Sequence, residues 1–316
     1  VNMYLAALLG FVLLFGGGEG LVRGAVAVAR RFGLSSLLIG LTIVAAGTSA
    51  PELIVSVSAA IKGNADIALG NVVGSNIFNV LGVLGVSALI APIVVKPAEM
   101  RRDTVIMVAA SVALAALAQF GVISWPVGLL FVAAIVAYTV YSYRTEIKCR
   151  PAPSAELHEH EGEEFEGPSS LWVGVTYIAL GLAALVIGSQ LLVDGATQIA
   201  RAFGVPEAVI GLTLVAIGTS LPELATSIAA AFRGHSDVAV GNVVGSNIFN
   251  ALFIIGTTAL VRPIHVAERM AQIDVWVMVA VAVVLVPVLV GRGRIGRVLG
   301  LAFTAAYAVY AVLLLA

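Results

Sequence analysis

Cysteine, histidine and charge are all scarce in this chain. Among 316 residues there is one cysteine, Cys149, which excludes an intramolecular disulfide framework and a cysteine-built zinc site within one chain. The four histidines, His158, His160, His235 and His265, form no HExxH pair. None falls well inside an apolar run, which argues against an intramembrane hydrolase. Charged residues make up 11% of the chain, far below the quarter expected of a soluble domain. A net charge of -1 gives no hint of nucleic acid or of a basic partner surface. What is present in excess is hydrocarbon: 60% of the residues are hydrophobic and the mean hydropathy is +1.07. The composition is that of an all-α polytopic membrane protein.

Ten apolar segments are long enough to cross about 30 Å of hydrocarbon. They cover 3–29, 35–61, 65–90, 101–120, 124–143, 170–201, 206–232, 236–260, 271–291 and 295–316. The first has no basic leading region and its apolar pattern runs past a signal-peptide core, so it reads as a retained span. The connections are short except for 144–169, where Pro151, Pro153 and the acidic run around His158 and His160 read as a solvated linker. The linker separates residues 1–143 from 170–316.

The two halves repeat one another. Gly40 to Gly85 and Gly211 to Gly256 are identical at about 29 of 46 positions, with a constant offset of 171. Five spans per half is an odd number, so the second half must enter the membrane in the opposite orientation, as an inverted repeat. The positive charges support this count. Arg30, Arg31, Lys96, Arg101, Arg102, Arg144, Lys148, Arg150, Arg233, Arg292, Arg294 and Arg297 fall on one side; Lys62, Arg201, Arg262 and Arg269 fall on the other. The positive-inside rule then places the linker in the cytoplasm and both termini outside.

Each repeat carries a carboxylate within an apolar run, in GTSAPE ending at Glu52 and GTSLPE ending at Glu223. Pro51 has no N–H for the carbonyl of Gly47, so the second span should break there, and Pro222 should break the seventh in the same way. Thr48, Ser49 and Glu52 gather their oxygens on one helical face, as do Thr219, Ser220 and Glu223. The third span adds Asn71, Ser75 and Asn79, stacked at intervals of four, and the eighth adds Asn242, Ser246 and Asn250. Carboxylate, hydroxyl, amide and carbonyl oxygens suit Na⁺, Ca²⁺ or Mg²⁺ and argue against zinc or copper. Two glutamates match one Ca²⁺ or several Na⁺ on shared oxygens, the arrangement of an exchanger.

Other polar residues have plainer readings. Asn76 and Asn247 read as interhelical hydrogen-bond partners. Glu19 and Arg23, one turn apart, read as a local ion pair where the second half has Gln190 and Asp194. Asp66 and Asp237 read as helix caps or entrance charges.

The paired GTSAPE/GTSLPE and GSNIFN blocks resemble the alpha repeats of the cation/Ca²⁺ exchanger superfamily, and are most similar to the prokaryotic sodium/calcium exchangers. The resemblance implies ten spans as two inverted five-helix repeats with broken helices two and seven. It implies a secondary antiporter of the prokaryotic plasma membrane, not an enzyme, with no cofactor and with Na⁺ and Ca²⁺ bound as transported substrates. An H⁺/Ca²⁺ exchanger is the nearest alternative and a cation channel the next. Carried over by motif, Glu52 and Glu223 would ligate both ions, and Thr48 and Thr219 would complete the Ca²⁺ site. Ser49, Ser75, Ser220 and Ser246, with the carbonyls of Ala45 and Ala216, would serve flanking Na⁺ sites. Asn79 and Asn250 would lie at the centre. The usual exchange of three Na⁺ for one Ca²⁺ would carry net charge. Some relatives, including the K⁺-dependent branch, have Asp where this chain has Asn250, which argues against K⁺ co-transport. Membrane lipid is the expected surrounding partner; the sequence sets no oligomeric state and is compatible with a monomer.

Overall fold

The computed structural model describes residues 2–32, 34–148, 170–204 and 216–315. The linker from 149 to 169, with Cys149, His158 and His160, and the leading part of the seventh apolar segment lie outside the described residues. Helix dominates, because an apolar chain must satisfy its own backbone groups. The helices are α1 Met3–Phe32, α2 Leu37–Thr48, α3 Ala50–Ile61, α4 Ala65–Ile90, α5 Pro97–Ala118 and α6 Trp125–Lys148. Then follow α7 Leu171–Ala202, α8 Ala216–Gly218, α9 Leu221–Phe232, α10 Ser236–Val261, α11 Met270–Arg292 and α12 Arg297–Leu315.

Seven of these helices are long and apolar enough to cross a membrane, and α2 with α3 forms an eighth as a pair bent by 44°. Two of the ten segments read from sequence fall outside that set. Helix α5 has the length, 22 residues, but opens with Glu99, Arg101, Arg102 and Asp103. Asp103 is buried in a cluster, accepting from Arg102 Nε at 2.9 Å and from the Tyr138 hydroxyl at 3.0 Å. Of the seventh segment, α9 accounts for 12 residues.

Two short antiparallel ladders, absent from the sequence reading, tie loops of the two halves together. β1 (Ile93–Val94) pairs with β4 (Arg294–Ile295), and β2 (Val122–Ile123) with β3 (Ile264–His265).

Burial is concentrated on α4 and α10, whose most apolar stretches are 78% and 89% buried, against 22% for α7 and 11% for α12. The motif-bearing helices are therefore at the centre. Around them, α1 and α7 run antiparallel in close contact. A Cβ on Gly17 would lie 2.9 Å from the Gly181 carbonyl oxygen, and one on Gly24 2.7 Å from that of Gly174. Small residues at this seam let the two backbones touch. On the central helices, a Cβ on Gly245 would fall 2.6 Å from the Leu41 carbonyl oxygen, so α10 lies directly on α2.

The Glu19–Arg23 pair forms as expected, at 2.5 Å. Arg233 also reaches Glu19 from the end of α9, an interhelical pair that helical spacing alone could not show. All three side chains are about one-third exposed, so the cluster contributes no more than about 1 kcal/mol. Asp66 and Asp237 lie in the first turns of α4 and α10, where a carboxylate meets the positive end of the helix dipole.

Candidate functional site

Proline breaks the second span where the sequence requires it. Ser49 has φ -82° and ψ 7°, and α3 restarts with Pro51 in its first turn beside Glu52. The second half repeats this: Ser220 has φ -93° and ψ 9°, and α9 restarts with Pro222 and Glu223. A proline is tolerated there because its missing N–H would have no helical partner. Both carboxylates are thereby held at helix N-termini, which favour negative charge. Both are completely buried.

Each carboxylate is held from the opposite half. Ser49 Oγ donates to Glu223 Oε1 at 2.9 Å, and Ser220 Oγ donates to Glu52 Oε1 at 2.9 Å. Ser220 Oγ also lies 3.0 Å from Ser75 Oγ. The threonines cross over too, Thr48 Oγ1 donating to Asn242 Oδ1 at 3.1 Å and Thr219 Oγ1 to Asn71 Oδ1 at 3.4 Å. Asn71 and Asn242 brace the breaks within each half. Asn71 Nδ2 donates to the Glu52 carbonyl at 3.2 Å and to Ser56 Oγ at 3.0 Å. Asn242 Nδ2 donates to the Glu223 carbonyl at 3.3 Å and to Ser227 Oγ at 3.0 Å. Ser56 and Ser227 escaped the sequence reading, although each stands four residues after its glutamate in both repeats. The Ala45 carbonyl accepts the Ser49 N–H at 3.0 Å and lies 3.3 Å from Thr48 Oγ1; Ala216 begins α8.

The third and eighth spans each change pitch at their last motif residue. A π-helical turn runs over Asn79–Val83 in α4 and another over Asn250–Ile254 in α10. Such turns re-aim side chains within a helix and recur at functional sites. The first turn packs on α9, which carries Glu223, and the second on α3, which carries Glu52.

What remains in this core is a set of oxygens without donors. Glu52 Oε2, Glu223 Oε2, Asn79 Oδ1, Asn250 Oδ1 and Ser246 Oγ are buried and have no hydrogen-bond partner. A buried, unpaired acceptor is costly. Two of the five are carboxylate oxygens, and all five are of the hard oxygen type that hard cations take as ligands. Among the described residues no group of three or more His, Cys, Asp or Glu is placed to hold a metal ion. Thr226 Oγ1, one turn beyond Glu223, is also buried and unpaired, whereas the other repeat has Val55. Thr226→Val is expected to leave thermal stability unchanged or raise it by up to about 1 kcal/mol, read by melting of the purified protein.

A many-helix apolar core that crosses two buried carboxylates between repeated motifs is that of an integral-membrane protein. Comparison with known proteins agrees. The profile of the family described as sodium/calcium exchanger protein matches residues 3–144 and 173–316. The chain is 33% identical to the sodium/calcium exchanger MaX1 of Methanosarcina acetivorans over 329 residues, covering 89% of each chain. It is 32% identical to the inner membrane protein YrbG of Escherichia coli over 308 residues, covering 97% of this chain and 95% of that one. Among solved structures, the sodium-calcium exchanger NCX_Mj soaked with Na⁺ and Ca²⁺ superposes with a TM-score of 0.82 at 31% identity, covering 98% of this chain and 97% of that one. The chain belongs to the sodium/calcium exchanger family. It is a membrane transporter of the cation/Ca²⁺ antiport class, and not an enzyme.

Proposed function

We propose that this protein exchanges Na⁺ for Ca²⁺ by alternating access, with residues 1–143 and 170–316 as inverted five-helix halves. In this reading 144–169 is a cytoplasmic linker, both termini are extracytoplasmic, and the membrane is a prokaryotic inner membrane. The antiparallel packing of α1 against α7 supports the inversion. Ten spans follow if α5 crosses and if α9 is the second part of a broken seventh span. The observation that carries the reading is the pairing of Ser49 with Glu223 and of Ser220 with Glu52, beside the unpaired oxygens of both carboxylates.

The physical logic is competition for one oxygen set. Ca²⁺ takes Glu52 Oε2 and Glu223 Oε2 together and cancels their charge, with Thr48 and Thr219 completing its shell. Na⁺ ions reach the same neutrality only in numbers, spread onto Ser49, Ser75, Ser220 and Ser246 and the carbonyls of Ala45 and Ala216. Asn79 and Asn250 supply neutral oxygens between the carboxylates. An empty site leaves two buried charges uncompensated, at several kcal/mol each, so the loaded states are the ones that cross. Helices α1 and α7 are the elements that rearrange against the rest.

In proteoliposomes, Ca²⁺ uptake is expected to require an outward Na⁺ gradient. Three Na⁺ leaving for each Ca²⁺ entering moves one positive charge outward, so an inside-positive potential should accelerate uptake, driven by about 2.3 kcal/mol per 100 mV. Uptake driven by a pH gradient without Na⁺ would select H⁺/Ca²⁺ exchange instead. Conductance with no exchange would select a channel.

A further inference from the structure

Four asparagines meet where α4 and α10 pack: Asn76 and Asn79 on α4, Asn247 and Asn250 on α10. All four are at most 2% exposed. The Asn76 side chain donates through Nδ2 to the backbone carbonyl of Asn247 at 3.3 Å, and Asn247 Nδ2 donates to the backbone carbonyl of Asn76 at 3.2 Å. A backbone carbonyl can only accept, so the nitrogen of each amide must point there. The second protons of these amides lie toward the thioethers of Met278, at 3.5 Å, and Met107, at 3.8 Å. Both methionines occupy equivalent positions in the repeat.

The amide oxygens of Asn76 and Asn247 then face the other way, and each is used. Asn76 Oδ1 accepts Asn250 Nδ2 at 3.1 Å, and Asn247 Oδ1 accepts Asn79 Nδ2 at 3.0 Å. Asn79 and Asn250 must therefore spend their nitrogens on these bonds and leave their oxygens over. Those oxygens are the buried, unpaired Oδ1 atoms already described. Turning either amide would set two oxygens against each other and present N–H groups, not a lone pair, to a cation. The orientation is thus dictated, step by step, from two backbone carbonyls that cannot donate.

We propose that Asn76 and Asn247 are positioning residues: the reciprocally bonded pair at the middle of this four-asparagine chain locks Asn79 and Asn250 at its two ends so that carbonyl oxygens face the transported cation. The proposal rests on the cation-exchange reading of this site and adds what orients its neutral ligands. It also explains why the GSNIFN block repeats both asparagines, since a ligand at the last position needs its orienting partner three residues earlier on the other helix.

Equilibrium Ca²⁺ binding to the purified protein tests this independently of the ion that drives transport. Asn247→Leu is expected to raise the Kd for Ca²⁺ about tenfold or more, and Asn247→Ser, a smaller change for the fold to absorb, to do the same. In an Asn79→Ala background the Asn247 substitutions should add nothing, because the ligand they orient is already gone. A role confined to packing would lower the melting temperature and leave Kd unchanged. Unchanged Kd in the folded variants, or effects that simply add to Asn79→Ala, overturns the proposal. Ca²⁺ uptake coupled to protons instead of Na⁺ would overturn the coupling reading and leave this result standing.

Discussion

Glu52→Gln and Glu223→Gln are each expected to abolish Na⁺-driven Ca²⁺ uptake at Ca²⁺ concentrations that saturate the unaltered protein. Both glutamates are completely buried, and each has one oxygen committed to a serine of the other half and one left unpaired. Glutamine keeps the volume but removes one of two charges that balance a divalent ion. Truncating one member of a buried, hydrogen-bonded charge pair costs about 2–5 kcal/mol, which is about 30-fold or more in affinity. The serine contact does not rescue this, because a hydroxyl can still donate to the glutamine carbonyl while the charge is gone. Because the two halves contribute equivalently, the two substitutions should have similar effects. Uptake retained near the original rate in either variant, in flux assays on reconstituted protein, would dismiss the paired-carboxylate site.

Gly181→Leu should strongly destabilise the protein. A Cβ at Gly181 would lie 2.6 Å from the Leu21 backbone nitrogen and 2.8 Å from the Gly17 carbonyl oxygen. Both neighbours are backbone, so no rotamer change can make room; α1 and α7 must separate. Overpacking of this kind costs about 1–3 kcal/mol, and a fall of about 2–5 °C in melting temperature is expected. Gly16→Leu is the matched control, since a Cβ there meets nothing within 4 Å. If both variants melt together, the seam does not hold the two helices.

Much of the site was legible because duplication doubles the signal. Glu52 and Glu223 stand out as carboxylates in apolar runs, and Pro51 and Pro222 mark the breaks beside them without reference to any neighbour. Asn76 and Asn247 were read as interhelical partners, and the structure places them so. Other features were not legible, for specific physical reasons. The π-helical turns at Asn79 and Asn250 have no compositional mark, because a π turn uses the same residues as an α-helix with a shifted hydrogen-bond register. The ladders joining Ile93 to Ile295 and Val122 to His265 are two residues long, too short for a period-two pattern to emerge. The apolar segment at 101–120 sits on a helix that starts at Pro97; a proline and Glu99 in its first turn fall outside an apolar template. The Arg233–Glu19 contact spans 214 residues, a separation that no helical periodicity can reveal.

The order of residues alone determined that this is a duplicated, helical membrane protein with one acid and one proline break per half, since hydropathy, proline chemistry and internal identity are properties of the chain itself. Only tertiary structure decided which half holds which carboxylate. Serine and threonine can donate to any acceptor within reach, and it is the crossing of α2–α3 against α8–α9 that sends Ser49 to Glu223 and Ser220 to Glu52. The same crossing brings α4 against α10, and so fixes which atom of each central asparagine is left over for a cation.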